Sequence, residues 1–185
     1  MKKEMTITEL KKKLAGVERK ELEQILCGLY KSFDDAAQSI NLQLLDSSYG
    51  LKLLKLYQDK MYKIFFPKDI IRSGFSLSAA KKVISDFKKV CQNEELVLDL
   101  KLYFVGCGTE FTNTYGDIDE RFYQSLCDAF FDVANAASGD QELFEEWEDR
   151  LRRIVVDSEE IGWGFHDFIV EEYYNIPWVD EDEDY

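Results

Sequence analysis

Apolar residues recur at three- and four-residue spacings along most of the chain, the period of helices that turn one face inward. Ile7, Leu10 and Leu14 form the first stripe, behind Thr6-Ile-Thr-Glu9, whose hydroxyl and carboxylate suit a capping box. Gly16 follows and is expected to supply a left-handed helix end. A second helix is predicted from about Arg19 to Phe33, with Leu22, Ile25, Leu26, Leu29 and Phe33 on one side. Asp34 to Leu45 reads as a further short helix carrying Ile40 and Leu44, with weakly marked limits. Ser47 or Ser48 opens the next, which carries Leu54, Tyr57, Met61 and Ile64 and runs to Phe66. Pro67 stops it, because proline lacks the amide proton and restricts the residue before it. Residues 67–75 read as a loop ending in Gly74.

Beyond Ser76, Leu77, Ala80, Ile84, Phe87 and Cys91 share a face from which Lys81, Lys82, Lys88 and Lys89 are largely excluded. That pattern predicts a surface helix with a basic outer side. Leu96, Leu98, Leu100 and Leu102 alternate with Val97, Asp99, Lys101 and Tyr103, which in isolation suits a strand. No partner strand is evident elsewhere, and a lone strand leaves its edges unpaired, so Glu94–Cys107 is read as a helix buried on most sides. Gly108 to Gly116 reads as a polar connection or a frayed helix end. Asp117-Ile-Asp-Glu120 is a second capping-box pattern, ahead of Phe122, Leu126, Ala129, Phe130, Val133 and Ala137. Ser138-Gly-Asp-Gln141 repeats that logic before Leu143, Phe144, Trp147, Leu151 and Ile154. The last helix follows Gly162-Trp-Gly and uses Phe165, Phe168, Ile169 and Tyr173. The prediction is an all-α chain: one compact domain over residues 1–176, of seven to eight mostly antiparallel helices. A short helical-repeat-like array is a variant of that shape, although no repeat period is readable. Residues 177–185 read as an acidic, mobile tail.

Charge changes this picture more than composition does. Residues 1–101 hold 19 Lys/Arg against 14 Asp/Glu, whereas residues 102–185 hold 4 against 23, within a net charge of −14. Long-range repulsion of phosphate argues against nucleic acid or an anionic membrane as the partner of the whole molecule. Residues 6–33 do resemble, weakly, a small DNA-binding helix pair of the scaffold-attachment type, with Lys11, Lys12, Lys13, Lys20 and Lys31. The acidic remainder opposes that reading.

Cys27, Cys91, Cys107 and Cys127 show no Cys-x-x-Cys pair and no metal-binding spacing with histidine, so buried free thiols are expected. The N-terminus lacks the apolar run of a signal peptide, and no stretch nears the ~20 apolar residues of a membrane span. Together with the free thiols, this points to a cytoplasmic protein.

Two segments carry more polar and glycine detail than helix packing requires. Glu110, Asn113, Tyr115, Asp117, Asp119 and Glu120 surround one, and a hard cation needs convergent oxygens of that kind. The calcium-loop spacing is absent, however, and capping explains Asp117 and Glu120 as well. The other is Gly162-Trp163-Gly164-Phe165-His166-Asp167. His166 is the one histidine, so it is the natural acid–base candidate if oriented by a carboxylate such as Glu110 or Asp117. A hydrogen-bonded structural His166 is the competing reading. Trp163 and Asp167, with Asn113, Tyr115, Asp119 and Glu120, are candidates for a ligand or partner surface. No nucleophile elbow, Gly-rich phosphate loop or dinucleotide fingerprint appears, and neither a metal site nor a cofactor is implied.

Thr6-Ile-Thr-Glu-Leu-Lys11, Phe65-Phe-Pro-Lys68, Ile84-Ser-Asp-Phe-Lys-Lys89, Glu110 to Glu120 and Ile161-Gly-Trp-Gly-Phe-His-Asp167 together resemble the bacterial family catalogued as domain of unknown function 6155. The resemblance spans most of residues 5–175 and implies an all-helical soluble protein, without transferring an activity. The functional expectation is a non-enzymatic helical adaptor or interaction protein that binds a protein partner or itself. The alternative is a small metal-dependent or hydrolytic enzyme, or a ligand binder, using Glu110, Asp117 and His166. No small-molecule ligand is specified by either.

Overall fold

The computed structural model describes residues 4–69, 72 and 74–180, and among these every regular element is a helix. There are nine: α1 (Ile7–Leu14), α2 (Arg19–Ser32), α3 (Asp34–Leu44), α4 (Ser48–Phe65), α5 (Leu77–Val90), α6 (Glu94–Tyr115), α7 (Glu120–Gly139), α8 (Gln141–Asp157) and α9 (Phe165–Tyr174). That is one more than the upper expectation. Phe33 takes an extended conformation (φ −136°, ψ 116°), which separates α2 from the short helix expected after it. The helices group into two compact units, residues 1–47 and 48–185.

In the first unit the capping box forms as expected. The Thr6 amide donates to Glu9 Oε2 (2.7 Å), and the Glu9 amide donates to Thr6 Oγ1 (3.2 Å). The Thr6 amide, together with the Thr6 hydroxyl, which donates to Glu9 Oε2 at 2.9 Å, holds the Glu9 carboxyl below its ordinary range. Gly16 is not left-handed; α1 instead closes on amides of Gly16 and Val17 bonded to Lys13 and Leu14 carbonyls. Helices α2 and α3 pack as a hairpin, across which Tyr30 Oη donates to Asn41 Oδ1 at 3.2 Å. None of the three helices contains a buried residue.

The second unit is built around α6, which touches α4, α5, α7 and α8, while α9 packs on α7 and α8. Leucine and aromatic positions on both parities of Leu96–Tyr103 satisfy such a helix, because apolar neighbours surround it. Phe65 has no exposed surface and its ring lies 4.8 Å from Phe75, 5.8 Å from Phe104 and 5.9 Å from Phe111. Trp147, Phe130, Phe165 and Leu126 are likewise fully buried. Burial of such side chains contributes about 1.5–3 kcal/mol each. One polar node lies among them. Arg150 donates to Asp99 through Nη1 (2.8 Å) and Nη2 (3.0 Å), and Gln58 Nε2 adds a third bond (3.1 Å), tying α4, α6 and α8. A Lys101–Asp132 ion pair joins α6 to α7.

Several local expectations are corrected. Gly108–Tyr115 is not a connection but the last two turns of α6, where Thr109 and Thr112 hydroxyls donate to the carbonyls four residues back. Asp119 rather than Asp117 caps α7, accepting from the Phe122 amide at 2.8 Å. Asp140 caps α8, whereas Ser138 donates back to the Ala134 carbonyl. Of the expected tail, residues 181–185 lie outside the described residues, as do 70, 71 and 73 of the loop before Ser76. Within 177–180, Trp178 Nε1 donates to the Ala137 carbonyl at 3.0 Å, so this stretch docks at the end of α7.

At Gly108 α6 lies close against a side chain of α7: a Cβ there would lie 2.5 Å from Leu126 Cδ2. Leu126 is fully buried and has nowhere to retreat. Gly108→Ala is therefore expected to destabilise by about 1–3 kcal/mol. Gly106→Ala, two residues away with open space around its Cβ, should stabilise by about 0.5–1 kcal/mol through helix propensity. Urea denaturation of the two variants checks the opposite signs.

Candidate functional site

The two segments singled out in the sequence come together at one end of the second unit, through residues that the sequence did not flag. Tyr123, on the first turn of α7, is 2% exposed, and its hydroxyl donates to Asp117 Oδ1 at 2.8 Å. Thr112 Oγ1 lies 3.3 Å from the same phenol oxygen. Burial, reinforced by the Asp117 carboxylate, pushes the Tyr123 phenol up. On its other side Tyr123 stacks with Trp163, with ring centroids 6.3 Å apart. A second tie runs from Asn113 Nδ2 to the Asp157 carbonyl (2.7 Å), joining the ends of α6 and α8.

Trp163 is the one non-glycine residue with positive φ (60°) among the described residues, and Gly164 after it is left-handed at 68°. Two such residues in succession reverse the chain into α9, which starts at Phe165. Glycine accepts this geometry readily; tryptophan does so at a cost of order 1–3 kcal/mol. The Trp163 ring remains 60% exposed despite its stack on Tyr123.

His166 lies half-buried on α9, with Nδ1 2.9 Å from Ser158 Oγ. Ser158 has no exposed surface, and its hydroxyl donates to the Val155 carbonyl at 2.8 Å. One hydroxyl proton cannot serve both partners. Since the carbonyl is an acceptor only, satisfying both contacts requires His166 to donate from Nδ1 to the serine oxygen. In that arrangement imidazole does not draw a proton from Ser158, and the pair instead fastens the end of α8 to the start of α9.

The remaining candidates sit around this end with local roles. Asp119 is the α7 cap, and Glu120 and Asp167 are exposed acids in the first turns of α7 and α9, where the helix dipole favours them. Tyr115 packs its ring 4.8 Å from that of Phe111 and stays 50% exposed. Glu110 is exposed and lines a different feature, an open groove of about 420 Å³ between α6 and α8. Its other walls include Tyr103, Cys107, Arg150, Arg153 and Asp157. Among the described residues no hydrogen bond or ion pair joins Glu110, Asp117 and His166 to one another, and that groove does not reach Asp117, Trp163 or His166. No group of three or more His, Cys, Asp or Glu among the described residues is placed to hold a metal ion.

Tyr123 and Ser158 carry the network yet gave little sequence signal. A tyrosine in a helix start and a serine after an apolar stripe look like surface positions. Only the packing of α7 and α9 buries them.

An all-α protein of two helical units, with a polar and aromatic network closing one end of the larger, is what fold and geometry define. The chain belongs to the family of unknown function DUF6155, whose model matches residues 5–173. No curated protein and no solved structure matches it. No helix among the described residues is long and apolar enough to cross a membrane.

The thiols differ sharply. Cys27 is exposed, against the expectation of burial, because α2 buries none of its residues. Cys91, Cys107 and Cys127 are buried, and desolvation pushes the Cys107 thiol up to about 12 and Cys127 to about 11. Thiolate is the reactive form, so native protein at neutral pH should react rapidly at Cys27 alone and at all four thiols in denaturant. A disulfide-exchange titration with a chromogenic reagent reads both counts; two or more fast thiols in the native state would contradict the burial.

Proposed function

We propose that the protein is a non-enzymatic helical adaptor that presents its N-terminal unit to a protein partner. The observation carrying this reading is the unburied apolar stripe of α2. Ile25, Leu26 and Leu29 are 46%, 53% and 41% exposed on a helix whose spacing is that of a packing face, and Phe33 just beyond it is 59% exposed. A soluble helix that leaves such a stripe bare is matched to another apolar surface. The charge asymmetry supports the same reading, because a lysine-bearing side and an acidic side favour different partners and orient them. The protein is read as cytoplasmic from its free thiols.

A second reading, a ligand binder or a small hydrolytic or metal-dependent enzyme using Glu110, Asp117 and His166, draws its support from the groove that Glu110 lines. The three groups engage Tyr123, Ser158 and the groove separately, which favours the adaptor.

The test is affinity capture from the native host, followed by binding measurements with the purified partner. Leu26→Glu/Leu29→Glu is expected to weaken that binding at least 100-fold, as loss of two central apolar contacts at about 1.4 kcal/mol or more each would. His166→Ala/Glu110→Ala should leave it unchanged. The reverse pattern would replace the adaptor reading with the second one. Salt-titrated binding to duplex DNA should show no affinity at low ionic strength; a tight, salt-sensitive complex would restore the nucleic-acid reading of residues 6–33.

A further inference from the structure

We infer that the partner of the α2 stripe is a second copy of this chain, the two copies meeting through their N-terminal units in a symmetric dimer. This rests on the adaptor reading and names its occupant. Three helices totalling fewer than fifty residues without one buried side chain do not hold together on local propensity. Below about 70 residues, a helical unit of this kind needs a staple or an oligomer. It contains one cysteine and no histidine, so neither an internal disulfide nor a histidine-bearing metal site can staple it, and it needs a further apolar surface to pack on.

Area and charge select the occupant. Ile25, Leu26 and Leu29 on α2, with Phe33 just beyond it, are 41–59% exposed. At roughly 200 Å² for a residue of this size, they expose on the order of 400 Å². Two copies would then bury on the order of 800 Å² of apolar surface, which at an apolar share of about 60% corresponds to on the order of 1,300 Å² in all, within the range of about 1,200–2,000 Å² that stable interfaces need. The stripe at Leu22, Ile25, Leu26, Leu29 follows the i, i+3, i+4, i+7 rule, so it can interdigitate with its own copy across a two-fold axis.

Residues 1–47 carry eight Lys/Arg and eight Asp/Glu, whereas residues 48–185 carry 15 and 29. Of the two units, the first is the one in which two copies of this acidic protein meet without net charge repulsion. The second unit buries most of its large apolar side chains in its own core, and those it exposes, such as Leu51, Phe131 and Val156, lie on different helices.

Sedimentation equilibrium of the full chain over about 1–100 µM is the deciding measurement, because mass action makes a dimer of this size concentration-dependent. Wild type is expected at twice the 21.7 kDa chain mass at the upper end. Leu26→Glu/Leu29→Glu should remain at one chain mass throughout. Leu51→Glu, at a 62% exposed position on α4, should dimerise like wild type. Trp147, Trp163 and Trp178 all lie in the second unit, so unchanged tryptophan emission certifies that the double variant keeps that unit folded. If it does not, the wild-type mass still decides. A wild-type monomer at 100 µM, or a double variant that dimerises as wild type does, overturns the proposal. A monomer that nevertheless captures a different protein through Leu26 and Leu29 overturns the dimer and leaves the adaptor reading standing.

Discussion

A helix with apolar residues on most sides cannot lie at a surface, and α6 is such a helix. Val97, Leu100, Leu102, Phe104, Val105, Cys107 and Phe111 cover most of its circumference and all are buried. Everything in the second unit answers that demand. Helices α4, α5, α7 and α8 supply the surrounding faces, and each needs to be apolar on one side only. The two polar residues that α6 carries into its middle are consequently bound in place. Asp99 is matched by Arg150 and Gln58, and Lys101 by Asp132. Leaving either charge without its partner would cost more than the pair contributes.

The same accounting explains why polar detail concentrates at one end of the unit. Where α6 and α8 stop and α7 and α9 start, free carbonyls and amides accumulate, and each wants a partner. Asp119 meets the Phe122 amide, Asn113 the Asp157 carbonyl, and Ser158 the Val155 carbonyl. His166 then fixes Ser158, and Tyr123 fixes Asp117 ahead of the α7 cap. Much of what looks like a constellation of chemistry is therefore also termination of four helices. The exposed ring of Trp163, held in a left-handed conformation, is the feature there that termination explains least.

The all-helical character was legible because the apolar period and the capping residues agree over most of the chain. The helix over Leu96–Tyr103 was legible only by elimination, since its alternating leucines say nothing about how many neighbours enclose it. Boundaries failed where one pattern contained two possible caps: Asp117 and Asp119 are equally good by type, and Tyr123 decides by engaging Asp117. Gly108 read as a breaker because glycine usually is one, whereas here Leu126 requires the missing side chain in mid-helix. The site was legible as two separate segments. Their meeting depends on Tyr123 and Ser158, whose importance is set by tertiary burial and leaves no trace in local spacing.

Phe33 has an implication of another kind. Its amide bonds to the Leu29 carbonyl and its carbonyl accepts from the Ala37 amide, both at 3.0 Å, so one residue belongs to the ladders of α2 and α3 alike. There is no slack between the two helices. Because each helical residue advances the face by about 100°, one residue added or lost at this point would swing Ile40 and Leu44 away from the side where they now lie. What the hinge constrains is the count of residues through it, so length variation at this joint is a more severe change to the N-terminal unit than most exchanges of side chain.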